Sequence, residues 1–296
     1  MPIPYFYIID MIFSKYVMIG ANRSAWSKRR RRMMTHDQER IWLIEKLKTM
    51  NPAYSRLPVP KDEQGQKDTL RMLMNVWMPL KEPSREFLEV QDSYLRRESI
   101  IKGIVDEKTL LPCEKDSRLY LWQGDITRLK ADAITNAANS AMLGCFQPLH
   151  SCIDNFIHSA AGIELRWRCK QIMDEQGCDE PTGQAKITPG YCLPAKHVLH
   201  TVGPIVPYGD LQDEHRRLLR SSYLSCLELA AENGLTSIAF CCISTGVFMF
   251  PAKEAAEIAV ATVREYLDSN PDGSVRKVIF DVFSDRDKAI YDRLLH

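Results

Sequence analysis

The sequence has little net charge, no uninterrupted apolar segment long enough to cross a membrane, and no nucleoside triphosphate motif. The formal net charge of the 296 residues is +1, which argues against the generally basic surface of nucleic-acid-binding proteins. Asp10 and Lys15 interrupt the apolar segment 1–20 before it reaches the ~20 residues that a spanning helix needs. No glycine-rich loop ends in Gly-Lys-Ser or Gly-Lys-Thr, so triphosphate hydrolysis is not indicated. We expect neither a nucleic-acid partner nor a membrane location.

The cysteines do not have the pattern of a secreted disulfide framework. Their number, nine, is odd, and disulfide-dense proteins are usually much shorter than this chain. Cys241 and Cys242 are adjacent within the apolar segment 238–243, where reduced thiols fit a protein core. This usage favours a reducing compartment, and we expect a cytoplasmic protein.

The first 34 residues do not have the pattern of a folded domain. The basic run Lys28–Arg32 follows the apolar part, whereas a secretory signal has its charges in front. We expect either a disordered extension or a segment translated from upstream of the natural start. In the second case, Met33 or Met34 is the better candidate for the first residue of the natural protein. A membrane anchor with a polybasic flank is the alternative.

Residues 35–105 are predicted to form a small helical module. One apolar stripe has the spacing i, i+3, i+4 and i+7 of a single helix face and consists of Leu70, Leu73, Met74 and Trp77. A second stripe follows Pro83-Ser84, a typical helix start, and a third precedes the proline-containing loop 51–60. We expect these stripes to pack on one another and on the following domain, although a partner surface is the alternative.

From residue 106 onward, short apolar runs alternate with helical patterns. Strands are predicted at 119–122, 133–135, 186–188, 197–201, 238–243 and 278–282, and helices at 157–173, 218–231, 252–267 and 288–295. This alternation predicts an α/β domain over residues 106–296, with helices on both faces of a sheet. Ligands of such sheets bind beyond the carboxyl ends of strands, which directs attention to the loops 124–127, 136–152 and 244–250.

One of these loops contains three potential zinc ligands. Cys145, His150 and Cys152 lie within eight positions, and thiolate and imidazole are the donors that zinc prefers. Three protein ligands leave one tetrahedral position free, as in catalytic zinc sites. The spacing C-x4-H-x-C is not among the common zinc signatures, so two buried thiols beside an unrelated histidine remain an alternative.

The loop 244–250 joins a predicted strand to a predicted helix. Gly246 lies inside it, and Pro251 follows at a position suited to the first helical turn. Exposed amides at a helix start attract phosphate. An ordinary strand-to-helix turn explains the same pattern.

Five separated segments together resemble the macrodomain family. They stand in the order found there: Gly124–Thr127, Asn136–Asn139, Ile157–Gly162, His200–Pro204 and Ser244–Phe248. The resemblance covers about residues 106–296 and implies a three-layer α/β/α sandwich with a mixed central sheet. The C-x4-H-x-C insertion is similar to that of the zinc-dependent branch, whose bacterial members carry an N-terminal helical extension.

The resemblance also implies roles for individual residues. Asp125 would accept a hydrogen bond from the adenine amino group, Asn139 would hold the distal ribose, and Asp154 together with Asn139 would be catalytic. Capping, a local turn and a helix-dipole contact are the simpler alternatives for these three residues. His158 is interpreted as a structural residue on a helix face. The implied ADP-ribose contacts are Asp125, Ile126, Asn139, Cys152, Ile153, Asp154, Asn155, Ser244, Thr245, Gly246, Val247 and Phe248.

The function that the resemblance implies is zinc-dependent removal of mono-ADP-ribose from modified proteins, by cleavage at the anomeric carbon of the distal ribose. One zinc ion per chain, bound by Cys145, His150 and Cys152, would activate water or clamp a ribose hydroxyl. ADP-ribose would be the product, and a lipoyl-carrier protein is one candidate substrate. Two alternatives stay open: a reader that binds ADP-ribose without cleaving it, and a deacylase of O-acetyl-ADP-ribose.

Overall fold

The structure is a computed structural model, which describes residues 34–296. The expectations for residues 1–33 lie outside the described residues. Within 34–296, no helix combines the length and the apolar character needed to cross a membrane.

Three helices come first and form a helical module: α1 (His36–Met50), α2 (Glu63–Asn75) and α3 (Arg85–Lys102). Each begins at a residue whose side chain accepts a backbone N–H of the first turn, namely Thr35, Asp62 and Ser84. The stripe that includes Leu70 and Leu73 is buried. Its cluster also contains Ile163, which belongs to a later helix, so the module packs directly on the rest of the chain.

A six-stranded sheet forms the centre of the remaining chain. Its strands are β2 (Leu119–Gln123), β4 (Ala133–Ala137), β5 (Ala185–Pro189), β6 (His197–Thr201), β7 (Ser237–Phe240) and β8 (Lys277–Val282). Their order is β2-β8-β7-β4-β6-β5, and all neighbours are parallel except β5, which runs antiparallel to β6. The short strands β1 (Val105–Asp106) and β3 (Leu129–Lys130) pair separately.

Five helices pack around this sheet: α4 (Ile153–Ala161), α5 (Ile163–Gln176), α6 (Asp213–Glu232), α7 (Ala252–Ser269) and α8 (Asp285–Leu295). They cover both faces of the sheet, which confirms the predicted layered α/β fold with a mixed central sheet. The carboxyl ends of the parallel strands β2, β4, β7 and β8 meet at one edge. The three loops singled out from the sequence therefore lie along the same edge.

The single helix predicted over residues 157–173 is wrong, because the structure breaks it at Gly162. Gly162 has φ 94°, and a Cβ atom there would lie 2.3 Å from the Gln91 side-chain nitrogen. The positive φ favours glycine at this position, and a side chain there would also have to displace the Gln91 amide of α3. Gly162 is the C-cap of α4, which itself begins after Cys152, and it is also the N-cap of α5.

The strand predicted over residues 238–243 is also too long, since β7 ends at Phe240. The backbone N–H of Cys241 donates to the Thr135 Oγ1 at 2.9 Å instead of continuing the ladder. The rest of the apolar run stays largely buried beyond the strand. A buried apolar sequence here indicates the core and not the extent of sheet pairing.

Candidate functional site

The segment between β4 and α4, residues 138–152, brings the three predicted metal ligands together, and we call it the metal loop. The ligand atoms of Cys145, His150 and Cys152 all lie within 4.8 Å of one another, and all three residues are half-buried. The Cys145 Sγ is 3.7 Å from the His150 Nδ1. Sulfur and nitrogen donors at tetrahedral angles around zinc lie about 3.5 Å apart. Two thiols and one imidazole at this spacing therefore fit a zinc ion.

Asp154 lies two residues after the last of these ligands, in the first turn of α4. Its carboxyl group is buried and accepts the Asn136 Nδ2–H at 2.8 Å, with the Asn139 Nδ2 at 3.4 Å and the His158 Nε2 at 3.5 Å. Burial raises the pKa of Asp154 to about 6, against the opposing effect of the Asn136 hydrogen bond. Side-chain amides thus hold the carboxyl group in place, and its pKa is shifted towards neutral pH.

A buried polar cluster stands behind Asp154. The Asn136 Nδ2 also lies 3.1 Å from the His200 Nδ1, and the His200 Nε2 lies 2.9 Å from the Thr188 Oγ1. Burial lowers the pKa of His200 to about 3, so its ring is neutral. His158, Cys169 and His200 place donor atoms within 4.8 Å as well. Both ring nitrogens of His200 already have partners, and one of these partners, Asn136, also binds Asp154.

His158 and Asn136 both lie beside Asp154, which the sequence did not indicate. His158 was interpreted only as a structural helix residue, yet its ring lies beside Asp154 and under Gly144, where a Cβ atom would come 2.8 Å from it. Gly144 also has φ 77°. Both Asn136 and His200 belong to segments that carried the family resemblance, and their shared position on neighbouring strands was the signal available.

Asp125 lies just after β2, and its carboxylate caps a short helical turn. One oxygen, Oδ1, accepts the Thr127 N–H at 3.0 Å and the Thr127 hydroxyl at 2.6 Å, which caps the short helical turn Ile126–Arg128. The other, Oδ2, lies 3.7 Å from the Lys102 Nζ of α3. The cap therefore leaves one carboxylate oxygen for a ligand. No motif in the helical module pointed to Lys102.

An exposed aromatic residue follows the strand that pairs with β2. Phe283 follows β8 and is 81% exposed, and the Gly124 N–H donates to the neighbouring Val282 carbonyl at 3.0 Å. A flat apolar ring at a ligand-binding edge is a surface on which a nucleobase can stack. The sequence motifs did not point to Phe283, although its place directly after a buried strand was a signal for it.

The loop 244–250 presents unpaired amides. The N–H groups of Gly246, Val247 and Phe248 have no acceptor among residues 34–296. Ser244 and Met249 have φ values of 64° and 57°, and such left-handed turns aim consecutive amides into a concave surface that attracts anions.

The other residues predicted to contact ADP-ribose differ in their burial and in their hydrogen-bond partners. Cys152 caps α4, since its Sγ accepts the Asn155 N–H at 3.4 Å, and Ile153 is half-buried beside it. The Asn155 side chain is fully buried, and its Nδ2 donates to the Gln147 carbonyl at 3.0 Å. The Asn155 side chain is therefore committed to the metal loop. Thr245 is half-buried, and its hydroxyl donates to the Cys242 carbonyl at 3.0 Å.

Residues 135–259 match the family model described as Macro domain. A protein of Treponema medium named protein-ADP-ribose hydrolase is 55% identical over 265 residues, which span 88% of this chain and 100% of that protein. A protein of the same name from Staphylococcus aureus strain MSSA476 is 48% identical over 235 residues, spanning 79% and 86%.

A solved structure also resembles the fold. The Trypanosoma brucei macrodomain in complex with ADP-ribose is 30% identical, with a TM-score of 0.59, and the match covers 73% of this chain and 93% of that one. The Treponema medium relative matches over its whole length and over 88% of this chain. The chain belongs to the macrodomain family.

Proposed function

We propose that this chain hydrolyses the bond between ADP-ribose and a modified protein, with one zinc ion per chain held by Cys145, His150 and Cys152. The observation that carries the proposal is the three-donor set placed directly before the buried carboxyl of Asp154. Relatives at 55% and 48% identity carry the name protein-ADP-ribose hydrolase, which supports the activity itself.

In the proposed pose, ADP-ribose lies along the edge from Asp125 past the loop 244–250 to the metal loop. The adenine amino group donates to Asp125 Oδ2, the Ile126 N–H lies beside it, and the ring stacks on Phe283. The diphosphate accepts from the free amides of the loop 244–250. The distal ribose then reaches Asn139, Cys152 and Ile153, which places its anomeric carbon near Asp154.

The proposed reaction moves one water onto the anomeric carbon. A new bond forms from the water oxygen to that carbon, the bond to the acceptor oxygen breaks, and its electron pair leaves with the acceptor. Asp154 orients the water and takes its proton, while Asn136 and Asn139 hold the carboxyl in place. When bound, the zinc ion supplies Lewis-acid polarisation of an oxygen, either that of water or that of a ribose hydroxyl.

A reader that only retains ADP-ribose is the alternative. The Asp125 carboxylate and the loop 244–250 serve both functions, so they do not separate them. An open Cys/His donor set beside a buried carboxyl has no role in retention alone, and it favours hydrolysis. The proposed substrate is a mono-ADP-ribosylated protein, and a lipoyl-carrier protein is one candidate.

The test measures zinc content and single-turnover release of ADP-ribose from a mono-ADP-ribosylated protein on the same preparations. Wild type should carry about one zinc per chain and release ADP-ribose. A Cys145→Ser/Cys152→Ser double variant should lose both properties and keep its fold. Cys178→Ser removes an exposed thiol outside the site and should change neither. Tight ADP-ribose binding without release by the zinc-loaded wild type would establish the reader instead.

A further inference from the structure

Helix α2 of the helical module reaches the metal loop with a charged side chain. The Arg71 Nη2 donates to the His150 carbonyl at 2.7 Å and to the Asn155 Oδ1 at 2.8 Å. The guanidinium also lies over the Phe156 ring, 4.2 Å from its centroid. Arg71 therefore joins the backbone of one predicted zinc ligand to the first turn of α4.

One turn further along α2, Asn75 holds the residue on the other side of His150. Its Oδ1 accepts the Leu149 N–H at 3.0 Å, and its Nδ2 donates to the Ser159 Oγ at 2.9 Å. Leu149 has φ 56°, a conformation that a leucine rarely adopts. Asn75 is 1% exposed, so its hydrogen bonds are shielded from water and offset part of this strain.

These contacts act on the backbone of the metal loop and not on the donor atoms. Arg71 fixes the carbonyl of His150, and Asn75 fixes the amide of Leu149, so the peptide on which the imidazole is mounted is held from both ends. Asn155 then carries the contact of Arg71 to the Gln147 carbonyl. Groups that orient metal ligands from behind commonly change metal affinity by about 10–100-fold when removed.

We infer that Arg71 and Asn75 are positioning residues of the metal site, through which the helical module sets how long zinc stays bound. The inference rests on the zinc site proposed above. The described residues of the helical module contain no donor cluster of their own. The proposed role of the module is to hold the ligands that the metal loop supplies. Loss of either side chain frees the His150 backbone while Cys145, His150 and Cys152 remain present.

The experiment measures the rate at which the full-length, zinc-loaded protein releases zinc to a chromogenic chelator, together with its unfolding midpoint. Arg71→Ala and Asn75→Ala should release zinc at least about tenfold faster than wild type, and Arg71→Lys should restore part of the difference. Turnover should fall through kcat, with little change in the ADP-ribose dissociation constant.

Two control variants match these in type and place. Gln91→Ala removes another amide side chain that is 1% exposed and accepts one backbone N–H, that of Ile163, at 2.9 Å. Arg96→Ala removes another arginine of the module, which donates to the Tyr191 carbonyl at 3.0 Å. Both should leave the zinc release rate unchanged, even where stability drops.

The outcomes separate this inference from the proposed function. A wild type that holds no zinc overturns both. A wild type that holds zinc, with Arg71→Ala releasing it at the same rate, overturns the positioning role alone. Equal acceleration by Asn75→Ala and Gln91→Ala would show general loosening of the module, which also contradicts the inference.

Discussion

The metal loop and the loop 244–250 lie at the same edge of one sheet, yet they are held in opposite ways. Side chains from α2, α4 and α5 bind the metal loop, through Arg71, Asn155 and Arg166. The loop 244–250 mostly bonds to itself, as in the Met249 N–H to Gly246 carbonyl contact at 3.0 Å. A cation site needs donors fixed from outside, whereas an anion site needs amides left unpaired.

The largest effect should come from the carboxyl beside the metal loop. Asp154→Ala should reduce release of ADP-ribose from a modified protein by at least about a hundredfold, because it removes the group that handles the water proton. Affinity for free ADP-ribose should stay within about tenfold, or ~1.4 kcal/mol. Single-turnover release and calorimetry on one preparation check this, and equal losses of turnover and affinity would contradict the assignment.

A pair of glycine substitutions tests the comparison itself. Gly144→Ala should lower the free energy of unfolding by about 1–3 kcal/mol from backbone strain, since φ is 77° and the added Cβ atom would lie 2.8 Å from the His158 ring. It should also reduce zinc content. Gly246→Ala meets no atom within 4 Å, so stability should change by less than about 1 kcal/mol.

The two glycine variants should differ in ligand binding as well. A methyl group at Gly246 projects where the proposed diphosphate lies, and calorimetry should show weaker ADP-ribose binding with normal zinc content. If Gly246→Ala lost zinc or Gly144→Ala kept its stability, the two loops would not differ as described.

A smaller effect is expected at the adenine end. Asp125→Ala should weaken ADP-ribose binding by ~1.5–3 kcal/mol, the usual contribution of a hydrogen bond to a charged acceptor. Asp106 is the matched control, because it also caps a short helical turn and lies 3.1 Å from a lysine amine, that of Lys130. Asp106→Ala should leave the dissociation constant unchanged. Equal affinities of the Asp125 variant and wild type would show that adenine binds elsewhere.

The smallest effect should follow deletion of residues 1–33. The sequence of this segment has neither the core pattern nor the site residues of either loop, so residues 34–296 should keep zinc content, ADP-ribose affinity and turnover. A truncated protein that folds but loses turnover would contradict this expectation.

The sequence predicted the elements of the sheet better than their ends. Strand β6 was predicted at its observed bounds, His197–Thr201, because its apolar run is short and flanked by turn residues. Beyond the end of β7 the Cys241 N–H bonds to Thr135, and the break at Gly162 packs against Gln91. Both partners lie far away in the sequence, and local patterns contain no trace of them.

The candidate site divides along the same line. Cys145, His150 and Cys152 were found because they cluster within one loop, and the structure brings their donor atoms together. Lys102 and Arg71 were missed because they belong to the helical module, whereas the groups that they contact lie in distant segments of the sequence. The burial that raises the pKa of Asp154 is likewise a property of packing.

Arg166 lies in the first turns of α5, the helix that begins after Gly162, and it links the end of α2 to the metal loop. Its Nη1 donates to the carbonyls of Asn75 and Trp77 at 2.7 and 2.8 Å, and its Nη2 lies 3.4 Å from the Cys145 carbonyl. One buried guanidinium thus binds carbonyls at the end of α2 and in the metal loop. If either segment moves away, the buried charge loses some of its acceptors, which is costly. Amide hydrogen exchange at the end of α2 and in the metal loop should therefore follow one opening event.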